Sequence, residues 1–149
     1  MATLDIRDHA LVVSIEGIDK LFTFRSTIVV PLTHIAGIAV RPDLTGIMNM
    51  PVHSQFRGVR VPGSLVAGTL ILADGSGNVF CDVHDAQNAI AIDLRHDEFK
   101  RLIVELTNQS PEDARARFEA ALGHPATHST LPWEPRPDEP DRVGDGTSR

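Results

Sequence analysis

Apolar and polar positions alternate with a period of two along most of the chain up to residue 108, the pattern of half-buried strands. Leu11, Val13 and Ile15 share one face of a first strand, with Ser14 and Glu16 on the other. Ser26–His34 reads as a second strand, β-branched at Thr27, Ile28, Val29 and Val30. Pro31 has no N–H to give to a ladder and so belongs at an edge or a bulge. Ile35–Val40 forms a third strand, ended by Arg41-Pro42-Asp43. After an irregular stretch from Leu44 to Gly63, Ser64–Ala73 is the next strand. Asp74-Gly75-Ser76-Gly77-Asn78 is a tight turn of residues that tolerate positive φ, and Val79–His84 is its hairpin partner. Asp85–Asn88 turns into Ala89–Leu94, and Arg95–Glu98 into Phe99–Thr107, with Leu102, Val104 and Leu106 on one face. Strands separated by short turns in this way predict a meandering antiparallel sandwich or barrel.

The period then changes. Ala114, Phe118, Ala121 and Leu122 fall three and four apart, one apolar stripe of a helix. Ser110 is its natural N-cap, Pro111 suits the first helical position, and Asp113 takes the capping-box place. Gly123 supplies a left-handed stop, and Pro125 prevents continuation. The stripe needs an apolar surface to cover, and the open end of a barrel would provide one.

Composition divides the chain at the end of this helix, into a domain over 1–123 and a tail over 124–149. Five of the ten prolines lie from Pro125 onward, with Glu134, Asp138, Glu139, Asp141 and Asp145 among them. So little apolar surface cannot offset chain entropy, which predicts disorder, Trp133 being the one residue suited to docking. A formal net charge of −6 argues against nucleic acid, whose phosphates require a basic footprint. No stretch approaches the roughly 20 apolar residues of a membrane helix. The first residues carry acids where a secretion signal has a basic region, and Cys81 is the single cysteine. Both features suit a reducing, cytoplasmic setting.

Ile28–His34, Arg60–Gly63 with Ala67-Gly68-Thr69, Val79–His84, Ala89–Leu94 and Phe99–Leu106 resemble corresponding segments of bacterial proteins of actinobacterial type with a pleckstrin-homology-like fold. The resemblance covers most of Leu11–Leu122 and none of the tail. It implies a mainly β fold, a seven-stranded antiparallel barrel or sandwich capped by one C-terminal helix. It implies little about function, because this superfold hosts unrelated binding tasks. Eukaryotic members that bind phosphoinositides use a basic cluster around the first hairpin. Here Gly17–Arg25 offers only Lys20 and Arg25, with Asp19 beside them.

The chemistry-bearing residues favour structural roles. On a strand, Cys81 and Val83 face one side and Asp82 and His84 the other, so Cys81 and His84 diverge and cannot share a metal or form a thiolate–imidazole pair. Cys81 reads as a small core residue. His124 and His128 have metal-clamping spacing, but Gly123 and Pro125 remove the helical scaffold it needs. His96 reads as an exposed turn residue, and His34 as a strand-end cap. Gly58-Val-Arg-Val-Pro-Gly63 lacks the spacing and the following helix of a phosphate loop, and no serine has a nucleophile-elbow context. The sequence asks for no catalytic residue, no metal and no cofactor.

The stretch Leu44–Gly63 is twenty residues long, beyond the usual loop length, and such loops are commonly functional. Ile47, Met48, Met50, Val52 and Phe56 make it apolar and adaptable, suited either to fold back as a lid or to present a contact surface. The candidate binding residues are therefore Met48, Met50, His53, Phe56, Arg57 and Arg60. They predict a non-catalytic binding module for a protein or a small apolar ligand. The alternative is a small enzyme or small-molecule-binding protein using His53 with Arg57 or Arg60. Self-association through an open strand edge is a third route.

Overall fold

The computed structural model describes residues 1–17, 26–44, 56–61, 64–71 and 77–123. The Lys20–Arg25 segment, Met48, Met50, His53, most of the Asp74–Asn78 turn and the 124–149 tail lie outside them.

Three strands form a first antiparallel sheet: β1 (Ala2–Arg7), β2 (Ala10–Ile15) and β3 (Thr27–Pro31). β1 and β2 are joined through Asp8 and His9 at φ 51° and 61°, the backbone of the two-residue turn that matches strand twist. β3 alternates cleanly: Ile28 and Val30 are buried while Thr27 and Val29 are exposed. Among the described residues it pairs only with β2, and Pro31 stands at this edge as the sequence predicts. Leu32–His34 then makes a 3₁₀ turn into β4 (Ile35–Val40).

The second sheet has six strands: β4, β5 (Phe56–Val61), β6 (Leu65–Ile71), β7 (Asn78–Val83), β8 (Ala89–Leu94) and β9 (Phe99–Glu105). Their spatial order is β4-β8-β9-β7-β6-β5. β8 and β9 form an antiparallel hairpin, but β7 and β9 run parallel. The segment after β7 therefore passes across the end of β9 before β8 begins. The fold is mainly β with one C-terminal helix, as expected, but three predictions need correction. There are nine strands among the described residues rather than seven, one pairing is parallel, and neither sheet closes into a barrel.

The last described element is α1 (Pro111–Leu122). The Ser110 hydroxyl accepts from the Asp113 amide at 3.1 Å, and Gly123, at φ 79°, donates to the Glu119 carbonyl at 2.9 Å. Ala114 and Phe118 are buried, Leu122 is half-buried and Ala121 is exposed, so the buried stripe is narrower than its sequence pattern. Instead of plugging a barrel, α1 packs beside β4 and the 3₁₀ turn. Arg41 pairs with Glu112, and Arg117 with Asp5 at 3.2 Å, fastening the helix to both sheets.

One apolar core lies between the layers: Leu4, Val13 and Val30 of the first sheet meet Phe80, Ile92 and Leu102 of the second, with Phe118 of α1. Phe80 and Phe99 meet edge to face at 5.7 Å. The opposite face of the second sheet is also buried, through small and medium residues such as Ala39, Cys81, Ala91 and Ile103. The central strands thus bury both faces, which is why β7, β8 and β9 read as nearly continuous apolar runs.

Candidate functional site

Of the six residues selected from sequence, the described ones, Phe56, Arg57 and Arg60, all fall on β5. This strand ends the six-stranded sheet and has β6 as its sole strand neighbour among the described residues. Its hairpin with β6 is held at the turn by the Ser64 amide, which donates to the Val61 carbonyl at 2.9 Å. Gly58 and Gly68 stand directly opposite each other. A Cβ built on Gly58 would lie 2.1 Å from the Ala67 carbonyl oxygen, and one on Gly68 2.1 Å from that of Arg57. Only glycine permits this approach, at φ 143° and 157°.

Strand alternation separates the candidates. Phe56 and Arg60 register with Leu70 and Val66, both in the second core cluster, and Phe56 packs half-buried against it. Arg57 registers with Thr69 and points to the other face, where it is exposed. Arg57 and Arg60 therefore lie on opposite faces of β5, while His53 lies outside the described residues. Val61, at the strand's end, is 47% exposed, unusual for a large aliphatic residue here.

Other polar clusters have structural partners. The strand read as running to His34 ends at Pro31, and His34 instead closes the 3₁₀ turn, where its Nδ1 lies 2.9 Å from the Asp97 carboxylate. His96 is exposed at φ 56°, a turn residue. Cys81 is 1% exposed, and burial pushes its thiol up to about 12, the adjacent Asp82 charge adding to the effect and Arg101 opposing it. This burial is that of a small core residue. Among the described residues no three His, Cys, Asp or Glu side chains gather to hold a metal. No helix there is long and apolar enough to cross a membrane. A shallow crease lies between β1 and α1, lined by Leu4, Ala114 and Phe118 together with Asp5, Gln109 and Arg117. It encloses no room even for a water molecule, so it is a surface crease and not a ligand pocket. The Arg7 guanidinium, followed by the Ile6 amide, holds the Asp5 carboxyl below its ordinary range.

Buried charges are the residues that sequence patterning did not single out. Glu105 accepts from the backbone amides of His84 and Asp85, at 2.7 and 3.0 Å, and so stitches the β7-to-β8 crossover to the end of β9. Asp93 and Arg101 pair across the β8–β9 hairpin. A signal existed for this second pair: the two are equidistant from Asp97 at the centre of the turn. The fully buried Asp82 carboxylate accepts from the α-ammonium of Met1 at 2.7 Å. All three serve the fold.

Compared with family models, characterised proteins and solved structures, the chain matches none.

Proposed function

We propose that this protein is a non-catalytic interaction module that engages its partner along the β5 edge, continuous in sequence with the 44–63 stretch. The carrying observation is the state of that edge. A six-residue strand ends the sheet, exposing Arg57 and Val61 and having no strand on its outer side among the described residues. Such an edge offers a row of backbone donors and acceptors, and folded proteins generally cover or blunt it unless it is used. The kinship with pleckstrin-homology-like proteins belongs to the same proposal. Its support is one helix following the last strand and packed on the shared apolar core.

A photo-crosslinking residue placed at Val61 tests this, with Val29 as the control. Val29 is 60% exposed on the edge strand of the other sheet. Irradiation in the source cells should give a discrete adduct from position 61 and none from position 29. The same adduct from both, or none from Val61, overturns the proposal.

A further inference from the structure

We draw no further inference here: the strongest candidate, the edge of β3 with the outer face of the first sheet around the exposed Val29, carries none because nothing in the structure shows what covers it.

Discussion

At the scale of single residues, Cys81 shows how the interior sets chemistry. Its ordinary value of 9.0 rises to about 12 because the thiolate would have to exist without water beside Asp82. The unfolded chain therefore loses this proton first, and folding stability is fully present below pH 9. It is lost as pH rises toward 12, at up to roughly 1.4 kcal/mol per pH unit from this group. Urea midpoints of wild type and Cys81→Ala, measured from pH 8 to 11, should diverge, the wild type falling faster; parallel curves would refute the assignment. Glu105 is a second case. Removing its carboxylate with Glu105→Ala leaves the amides of His84 and Asp85 without their acceptor and should cost about 2–3 kcal/mol in chemical denaturation. A loss under 0.5 kcal/mol, ordinary for surface changes, would show that water replaces it. Cys81 was legible because alternation alone fixes which way it points. The role of Glu105 was not, since its partners are neighbours only once β7 and β9 run parallel.

At the scale of elements, the bounds of α1 were legible because their signals are local: a cap, a proline, a 3–4 spacing and a glycine stop. Its depth of packing was not local, and Phe118 is where that matters. The ring is 1% exposed among residues of both sheets, so Phe118→Ala should cost roughly 3–5 kcal/mol of unfolding free energy. A cost below about 1 kcal/mol would make the helix peripheral. Two strands escaped the sequence reading for opposite reasons. β1 hides its apolar set, Ala2, Leu4 and Ile6, among charges, and its turn uses Asp8-His9 where Asn-Gly would have announced a hairpin. β5 has Gly58 in its middle, which looks like a loop residue until Gly68 is found opposite. That pairing makes its own prediction. Gly68→Ala forces a methyl onto the Arg57 carbonyl and should destabilise the protein by more than about 2 kcal/mol, through strain and a parted hairpin. A melting temperature unchanged by this substitution would mean that β5 does not pair as described.

At the scale of the whole molecule, stability is distributed unevenly, and the distribution separates scaffold from site. Both sheets and α1 contribute to one core, and the junction is reinforced where the Thr107 amide donates to the Ala2 carbonyl at 3.1 Å. Residues 2 and 106 also bridge in parallel there. Strands β8 and β9, buried on both faces and paired on both edges, can open only when this core opens. Among the described residues β5 is different: one ladder, a half-buried Phe56 as its core contact, and exposed residues at Arg57, Gly58 and Val61. Regions with few buried contacts open locally at lower free energy than the global transition, and binding edges are drawn from them. Native-state hydrogen exchange should therefore show the amides of Ile90, Ile92, Leu102 and Val104 exchanging only through global unfolding, their protection falling in step with denaturant. The amides of Phe56–Val61 should exchange faster by at least about a hundredfold, some 2.7 kcal/mol less protected, with little denaturant dependence. On the proposed module reading, this difference would let the β5 edge open to a partner while the two-layer core stays closed. Should β5 share the protection and denaturant slope of β9, the edge would be an integral part of the core, and its availability to a partner would lose its physical basis.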